Sequence, residues 1–529
     1  MMMHFLKSSL LGSAALALSL SAASAVELEF YFPVAVGGEA AATIQALTDA
    51  YLAENPDVKI NAIYTGSYAD TTTRAITAAR GGNAPQLAIL LSTDMFTMID
   101  EDIVEAWDDH LTAEEIENWI GGFYPAFLKN SQTEGKTWGI PFQRSTPVIY
   151  WNKEAFEAAG LDPETPPTTW EEMVEMGKQL TIRDDAGNVS QWGVRIPSSG
   201  FPSWLFTGLV AANGQDGLAN DAGTEVYFDT PEVVEALEYL VSLSTEHEIM
   251  APGILDWGAT PRAFLDGDSA IAWTTTGNLT NIRNNATFEF GVGMLPANVR
   301  PGAPTGGGNF YLFSGHGEEE TRAAIDFVKW ATSPEQAAEW SIATGYVAPR
   351  PDTWETETMR AYAEEVPGAV VARDQLEYAV AELATFEGPR VTQILNDNIA
   401  AAIVGDKTPA EALADAQREA DAILAASNRT AEIQAWGAEV TQASQLAFLG
   451  AIAAVLLARR VREIRHRRVG APVIRYGGDR TIQVPPGATA LEAIRQAGIP
   501  HASVCGGRGR CSTCRVRVRS GLESLTPPQ

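Results

Sequence analysis

The sequence predicts an α/β protein whose large N-terminal body is followed by one transmembrane helix and a small C-terminal module. Three observations support this prediction: strand and helix patterns alternate after a leader, an uncharged apolar run begins near residue 440, and every cysteine lies within Cys505–Cys514. Strands that alternate with helices are typical of a mostly parallel sheet covered by helices. The 529 residues allow two to four domains at roughly 150 residues each.

The chain begins with a segment typical of a secretory signal. MMMHFLK is a short basic region, SSLLGSAALALSLSAASA is an apolar stretch, and Ala23-Ser24-Ala25 fits the small-residue cleavage site. We therefore predict a signal peptide over residues 1–25 and an exported body over residues 26–430. That body contains no cysteine, so it needs no disulfide, which suits export.

The first elements of the body alternate between strand and helix. VELEFYFPV has the alternation of a strand, and EAAATIQALTDAYLAENPD has apolar residues at helical spacing as far as Asn55-Pro56. VKINAIYTG is the next strand, and YADTTTRAITAARGGNAP is a helix that a glycine pair ends. QLAILLS is continuously apolar, as expected of a strand buried on both faces.

The middle of the body repeats this pattern. TPVIYWN predicts a strand and KEAFEAAGL a helix. Thr169 is the predicted N-cap of the next helix, with Glu172 completing a capping box. Ser333 and Gln336 predict a second box, with Pro334 at the first helical position.

Charge and motifs restrict the function classes. From Arg459 to the end there are 14 arginines, no lysine and four acids, which give a net charge of +10. Since the net charge of the whole chain is −30, the residues before Arg459 have a net charge of −40. Such an acidic body repels nucleic acid. It has no GxSxG, HExxH or Walker motif, and its histidines (His110, His247 and His316) are widely spaced. A catalytic pair of carboxylates, as in glycosidases, is an alternative that these patterns leave in place.

Aromatic residues occur at turns and predicted strand ends, often beside Gly, Ser or Thr. Aromatic faces together with hydroxyls and exposed backbone amides are typical of a site for a sugar or polyol. The alternative is that most of the tryptophans lie in the core. The residues concerned are Tyr68, Trp151, Trp204, Trp257, Trp273 and Tyr346.

The body resembles the extracytoplasmic solute-binding proteins of ABC importers, and most of all the glycerol-3-phosphate-binding family. The resembling segments are ordered along about 400 residues and include LAENPDVKINAIYTGSYAD, PFQRSTPVIYWNKEAFEAAGLDPETPPTTWEEM, FGVGMLP and TSPEQAAEWSIATGYVAPR. The resemblance implies a two-lobe periplasmic-binding-protein fold with a hinge and the ligand in the cleft. It also implies closure on a small-molecule solute, delivery to the transmembrane subunits of an ABC permease, no catalysis and no required cofactor.

The family's ligand contacts carry over to this sequence by resemblance, one residue at a time. We expect the matching residues to line one cleft from opposite lobes, with Trp204 as an added aromatic candidate. The positions are Tyr68, Ser145, Thr275, Gly307 and Tyr346.

Two positions depart from the family pattern. Ser92 stands where the family has a glutamate, and Thr392 stands where it has an arginine for phosphate. Arg390 lies two residues before Thr392, and Arg144, beside Ser145, is expected to add a positive charge to the cleft wall. Because a guanidinium grips phosphate, these arginines suit an anionic or phosphorylated polyol, while a neutral sugar stays open.

Val440–Ala458 is the predicted transmembrane helix. Its 19 residues carry no charge, and at about 1.5 Å per residue they nearly match a hydrocarbon core of about 30 Å. Residues 459–470 are strongly basic, which predicts a cytoplasmic linker and a body anchored outside the inner membrane. The alternative is a buried helix with a solvated basic end.

Residues 471–529 contain a predicted hairpin in PVIRYGGDRTIQVPPG and then CGGRGRCSTC. The spacing of Cys505, Cys511 and Cys514 resembles [2Fe–2S] ferredoxins, and the segment is similar to the ferredoxin modules of some membrane-bound bacterial adenylate cyclases. By this resemblance, residues 471–529 form a truncated β-grasp domain that lacks the fourth cysteine of those modules. We expect no stable cluster unless another ligand completes the site.

The sequence leaves three function classes. The first is a periplasmic solute-binding component of an ABC importer, with no nucleic-acid partner. The second is a membrane-anchored redox, electron-transfer or ligand-sensing protein, and the third is a secreted glycosidase. A gene fusion or a sequence-assembly junction near residues 430–440 would explain why the two parts share one chain.

Overall fold

The computed structural model describes residues 25–36, 39–469, 473–476, 480–484, 493 and 496–498. The predicted signal peptide, apart from Ala25, and the motif Cys505–Cys514 lie outside the described residues. The chain divides into two compact units, Met1–Arg429 and Thr430–Gln529.

The first unit is built on two large sheets. The first sheet has six strands. Their spatial order is Val58–Tyr64, Val26–Phe32, Leu87–Leu91, Gly306–Phe313 and Val104–Glu105, with Ile140–Ser145 also paired to Gly306–Phe313. Val26–Phe32 runs parallel to both its neighbours, whereas Gly306–Phe313 is antiparallel to every strand that it pairs with.

The second sheet has five strands. Their order is Phe290–Gly293, Pro147–Asn152, Ser269–Thr275, Val189–Arg195 and Ile182–Arg183. Ser269–Thr275 and Val189–Arg195 are parallel, and the other pairings in this sheet are antiparallel. The prediction of α/β lobes is confirmed, but the prediction of mostly parallel sheets is wrong. The physical reason is that strands returning from the other lobe, such as Gly306–Phe313, enter antiparallel.

Helices cover both sheets, and the first elements begin and end where the sequence predicts. The α-helices are Ala40–Glu54, Tyr68–Arg80, Met95–Asp100, Ala113–Asn118, Pro125–Leu128, Lys153–Ala158, Trp170–Leu180, Pro202–Ala212, Pro231–Thr245, Thr260–Leu265, Leu279–Asn285, Glu318–Ala331, Pro334–Thr344, Glu357–Glu365, Gly368–Gln375, Gly388–Ile403 and Pro409–Val469. Short strand pairs are formed by Gln132–Thr133 with Lys136–Thr137 and by Ala303–Pro304 with Ala379–Val380.

The two predicted capping boxes have different outcomes. Thr169 accepts from the backbone N–H of Glu172, whose carboxylate accepts from the Thr169 N–H, so this box is confirmed. Ser333 is the N-cap of Pro334–Thr344, but its side chain makes no capping bond, so the second box is wrong. Its backbone N–H already donates to the carbonyl of Trp330, which leaves no donor for Gln336.

Apolar side chains pack on both faces of each sheet. Phe30 and Phe32 belong to a cluster on one face of the first sheet, and Tyr31 points into a cluster on the other face. Along Pro147–Asn152, Ile149 and Val148 face opposite sides of the second sheet in the same way. Successive residues of a strand point to opposite faces, and burying one large apolar side chain stabilises by about 1.5–3 kcal/mol. Each sheet with its helices is therefore a lobe, called the first and second lobe below.

Two of the crossings that the chain makes between the lobes are adjacent, and a third follows Tyr346, because Trp340 packs in the core of the first lobe and Val391 in the core of the second. Ser145 ends a strand of the first sheet and Pro147 begins a strand of the second, so the first crossing is at Thr146. The second is at Thr305, and the register pairs Gly306 with Ser145. The side-chain amide of Gln375 donates to Thr146 Oγ1 at 2.9 Å and to the Pro147 carbonyl at 2.7 Å. These paired crossings form the hinge.

The second unit contains a helix and a strand pair among its described residues. The helix Pro409–Val469 continues into it, and Val473–Tyr476 pairs antiparallel with Arg480–Gln483, as the hairpin prediction expects. Among the residues that the structure describes, no helix is long and apolar enough to cross a membrane. The predicted transmembrane helix Val440–Ala458 is therefore not supported.

Candidate functional site

Two adjoining cavities lie between the lobes, beside the hinge. The larger has a volume of about 540 Å³ and the smaller about 30 Å³. The larger is lined by hydroxyl and amide side chains, two acids, three aromatic rings and several apolar residues. Its polar lining residues are Ser67, Tyr68, Thr72, Thr73, Thr93, Asp94, Ser203, Glu382, Thr392, Gln393 and Asn396. Both cavities share Tyr68, Leu91, Phe201, Trp204 and Glu382, so together they form one cleft.

Most of the site residues expected from the sequence lie in this cleft. Tyr68 and Ser145 come from the first lobe, and Trp204 and Thr275 come from the second. The six that line the smaller cavity are Tyr68, Ser145, Trp204, Thr275, Gly307 and Tyr346.

Tyr68 is held at the start of a helix. Ser67 caps the helix Tyr68–Arg80 through a capping box with Asp70, which fixes the ring at the carboxyl edge of the first sheet. The Tyr68 hydroxyl donates to Gln143 Oε1 at 2.7 Å and is also hydrogen-bonded to Tyr346. Burial raises the pKa of both phenols, so both stay protonated. Because the Tyr68 proton is directed to Gln143, the Tyr68 oxygen remains available as an acceptor.

The glycine pair Gly306-Gly307 at the start of the strand Gly306–Phe313 allows a close approach of backbone and indole. Gly307 has φ of +94°, and a Cβ there would lie 1.8 Å from the carbonyl oxygen of Gln143. A Cβ on Gly306 would lie 2.5 Å from the indole nitrogen of Trp204, which donates to the Thr305 carbonyl at 2.8 Å. Only glycine fits both positions, and Trp204 is thereby fixed against the hinge.

Three aromatic rings form a wall on the second lobe. Trp257 packs edge-on against Phe201 and Trp204, with ring centroids 5.2 and 5.9 Å apart. The indole N–H of Trp257 donates to the carbonyl of Ala35, 3.5 Å away across the cleft. Trp151 and Trp273, which the sequence also suggested for the site, lie in the core of the second lobe instead.

The remaining predicted residues lie around the cleft rather than in its lining. Ser92 is buried, and its hydroxyl lies 3.4 Å from the carboxylate of Glu382. Arg144 is fully buried in the first lobe, where it donates to Asn309 Oδ1 at 3.1 Å and its guanidinium lies over the ring of Phe127. Burial lowers the pKa of Arg144 to about 10, so it remains charged at neutral pH.

Arg390 is on the surface. Its guanidinium pairs with Glu387 at 3.1 Å, and its side chain is 64% exposed. It is not among the described residues that line either cavity. Thr392, two residues later on the same helix, does line the larger cavity. Residues two positions apart on a helix face different directions, which is why Arg390 does not.

Sequence reasoning missed the two acids of the cleft. Glu382 lines both cavities, and Asp94, which accepts from Thr72 Oγ1 at 2.8 Å, lines the larger one. Burial raises the pKa of Asp94 to about 6 and that of Glu382 to about 8. Neither belongs to a recognisable motif, and only the folded chain brings them together. Among the described lining residues, no lysine or arginine balances them.

The arrangement suits non-covalent capture of a solute rich in hydroxyl groups. Hydroxyl and amide side chains can exchange hydrogen bonds with such a solute, and the indole faces can cover its C–H surface. Within the described ranges, no group of three His, Cys, Asp or Glu side chains is placed to hold a metal ion.

Comparison with protein families gives two matches along the chain. Residues 46–367 match the model described as a bacterial extracellular solute-binding protein. Residues 474–528 match the model described as a 2Fe-2S iron-sulfur cluster binding domain.

Curated relatives resemble the chain over most of their length. The sn-glycerol-3-phosphate-binding periplasmic protein UgpB of Yersinia pseudotuberculosis is 30% identical over 426 residues, which is 78% of this chain and 95% of the relative. UgpB of Escherichia coli O6:K15:H31 is 30% identical over 424 residues, covering 77% and 95%.

Solved structures share the fold of the body. UgpB from Mycobacterium tuberculosis in complex with glycerophosphocholine aligns with a TM-score of 0.66 at 22% identity, covering 76% of this chain and 99% of that one. The cyclic alpha-maltosyl-1,6-maltose binding protein from Arthrobacter globiformis aligns with a TM-score of 0.64 at 24% identity, covering 75% and 99%. The two-lobe periplasmic-binding-protein fold implied by the sequence resemblance is confirmed for the body.

Proposed function

The chain belongs to the bacterial extracellular solute-binding protein family, and we propose that it captures a polyhydroxylated solute in the periplasm as the substrate-binding component of an ABC importer. The solutes named for its relatives, from glycerol 3-phosphate to maltosyl sugars, share several hydroxyl groups. We include both classes, sugars and glycerol phosphoesters, in the proposal.

One observation carries the proposal. A cavity of about 540 Å³ lies beside the hinge, and its polar lining consists of hydroxyl, amide and acid side chains. A cavity of this size falls within the usual range for small-molecule sites, about 300–1,000 Å³. The lining offers both donors and acceptors, which hydroxyl groups need.

The hinge supports a closure mechanism. Solute that contacts Tyr68 on the first lobe and Trp204 on the second gains both sets of contacts only when the lobes are together. Such differential binding favours the closed arrangement. We propose that the closed, loaded body is the form that delivers solute to the permease subunits.

We assign roles to the site residues as part of the same proposal. The hydroxyls of Tyr68, Ser145, Thr275 and Tyr346 exchange hydrogen bonds with the solute, and Trp204 covers its C–H face. Gly307 keeps the backbone close to the solute. The buried residues Ser92 and Arg144 act from within the first lobe, behind the lining, and Arg390 makes no contact.

A binding screen with matched tryptophan variants tests the proposal. The full chain is titrated with sn-glycerol 3-phosphate, glycerophosphocholine and maltotriose, and melting is followed, since a ligand at 100 times its Kd stabilises by about 2.7 kcal/mol. Trp257→Ala should lower the affinity for the probe that binds wild type by at least tenfold. Trp192→Ala, a tryptophan of the second lobe outside this cleft, should leave it unchanged. Equal loss in both variants, or no stabilisation by any probe, contradicts the proposal.

The match over residues 474–528 supports a second candidate function, a ferredoxin-like electron-transfer module. A [2Fe–2S] cluster takes four protein ligands, usually thiolates, whereas the 529 residues contain three cysteines. Cys505, Cys511 and Cys514 lie outside the described residues, and by number they do not fit a complete site. We therefore propose that this chain holds a cluster only where a further ligand is supplied.

A further inference from the structure

Glu382 is the acid of the cleft that lies at the hinge. It follows the short strand Ala379–Val380, which pairs with Ala303–Pro304 immediately before the second crossing. The residue is partly buried and lines both cavities. It is therefore placed next to the space that a solute would fill, whichever of the two cavities the solute enters.

The backbone of Glu382 is fixed by a chain of hydrogen bonds. Asn130 Oδ1 accepts from the Glu382 N–H at 2.8 Å, and Asn130 Nδ2 donates to the Glu382 carbonyl at 3.0 Å. The Asn130 carbonyl accepts from Asn309, whose Oδ1 accepts from the guanidinium of Arg144. Because its main chain is held on both sides, the carboxyl of Glu382 is preorganised for binding.

The carboxyl of Glu382 has no paired cation. No described ion pair includes it, and Lys129, near in space, donates instead to the carbonyl of Ala379. Arg144 lies within electrostatic range, but Asp94, the other acid of the lining, opposes a negative charge here. A carboxyl removed from water without a paired cation retains its proton. Burial accordingly raises the pKa of Glu382 to about 8, so the group is neutral at pH 7.

The proton of this carboxyl is an unused hydrogen-bond donor. Within the described part of the chain, the side chain of Glu382 has one hydrogen bond, with Ser92 Oγ, and at 3.4 Å that bond is long. Tyr68, which lines the same two cavities, directs its own proton to Gln143 and offers its oxygen as an acceptor. A donor without an acceptor, away from water, is unfavourable. A solute that brings an acceptor oxygen to Glu382 is therefore favoured.

We propose that Glu382 binds the solute as a neutral carboxylic acid, donating a hydrogen bond to an acceptor oxygen of the solute, and that ionisation of this carboxyl releases the solute. The inference rests on the proposed function, because it requires that the cleft bind a solute. The oxygen belongs to a hydroxyl, glycosidic or phosphoryl group, and sugars and glycerol phosphodiesters carry such groups. A carboxylate cannot donate and repels an oxygen that cannot donate either.

The other ionisable groups that face Glu382 keep their charge between pH 7 and pH 9. Asp94, with a pKa of about 6, is ionised at both values, and Arg144, with a pKa of about 10, remains charged. Arg390, on the helix that follows, is exposed and paired with Glu387. Burial holds the pKa of three neighbouring phenols above the ordinary value of 10, so they stay protonated. These phenols are Tyr68, Tyr311 and Tyr346.

Isothermal titration of the full chain at pH 7 and at pH 9 tests this inference. The probes are glycerophosphocholine and maltotriose, which keep their charge between these pH values and distinguish a phosphoryl oxygen from a sugar oxygen. The variants are Glu382→Gln, whose amide keeps a donor and an acceptor but does not ionise, and Glu387→Gln as the matched control. Glu387 is an acid five residues away that is not among the described residues lining either cavity.

We expect the Kd of wild type for the probe that binds to rise about tenfold from pH 7 to pH 9, because the protonated fraction of a group with a pKa of about 8 falls tenfold over this interval. Glu387→Gln should show the same rise. Glu382→Gln should match the affinity of wild type at pH 7 within threefold and keep that affinity at pH 9.

A wild-type Kd that changes less than threefold between pH 7 and pH 9 contradicts the inference, whatever the variants do. A Glu382→Gln variant that binds more than threefold more weakly than wild type at pH 7, or that loses affinity at pH 9 as wild type does, also contradicts it. In each of these cases a probe has bound, and the proposed function stands. If neither probe binds wild type at pH 7, the proposed function and the inference are both wrong.

Discussion

Replacing Glu382 with glutamine should stabilise the free protein at alkaline pH and have little effect at acidic pH. Burial is the main reason that the pKa of Glu382 is raised from 4.5 to about 8, while Arg144 and the bond from Ser92 oppose the rise and Asp94 adds to it. Above pH 4.5 the unfolded chain loses this proton, whereas the folded protein retains it up to about pH 8. Folding stability therefore falls as the pH rises through this interval.

The size of the effect follows from the same interval. At about 1.4 kcal/mol per pH unit, the range from 4.5 to about 8 gives an upper limit of about 5 kcal/mol. Solvent in the cavity reaches one side of the carboxyl and screens it, so we expect roughly half of that, about 2 to 3 kcal/mol. Glutamine does not ionise, and the variant should lack this part of the pH dependence.

Urea unfolding of the full chain, followed by tryptophan fluorescence at about pH 5 and about pH 8.5, measures the effect. The free energy of unfolding of Glu382→Gln minus that of wild type should grow by about 2 to 3 kcal/mol between the two pH values. Glu387→Gln is the control and should give the same small difference at both. A constant difference for Glu382→Gln would refute the argument that burial keeps this acid protonated.

Three further predictions concern the hinge, the surface arginine and the cysteines. Gly307→Ala should destabilise the protein by about 2–4 kcal/mol in urea unfolding, because its φ is +94° and a Cβ would collide with the Gln143 carbonyl; an unchanged midpoint would contradict this. Arg390→Ala should leave solute affinity within twofold in a titration, because the side chain is exposed and paired with Glu387, and a loss above fivefold would place it in the site. Anaerobic reconstitution with iron and sulfide should give fewer than two irons per chain by elemental analysis, and two irons with a reduced spin-resonance signal would mean that another ligand completes the cluster.

Local patterns predicted the elements of the body well. The strand Leu87–Leu91 is buried as its continuous apolar run requires, and the helix Trp170–Leu180 begins at the capping box of Thr169. These features depend on residues close in sequence. The second capping box failed because the Ser333 N–H had already found a different acceptor, Trp330, which the motif does not reveal.

Long-range geometry was beyond the reach of the sequence pattern. The antiparallel return of Gly306–Phe313 depends on the chain crossing between lobes, and no local signal encodes its direction. Family resemblance placed Tyr68 and Tyr346 in the lining, although 278 positions separate them in the numbering. The resemblance did not identify Glu382. The family's glutamate aligns with Ser92, and the alignment does not reveal that a different segment of this chain supplies an acid nearby. It also favoured Arg390, whose side chain turns to the surface.

The most direct test of the central claim is native mass spectrometry of the full chain, released from the periplasm without denaturation. We predict one polyhydroxylated solute per chain, identified by its mass after dissociation, with the same solute retained by Trp192→Ala and lost from Trp257→Ala. A chain that carries no such solute and takes up none when glycerophosphocholine or maltotriose is added in excess would contradict the claim, as would a solute retained equally by both variants.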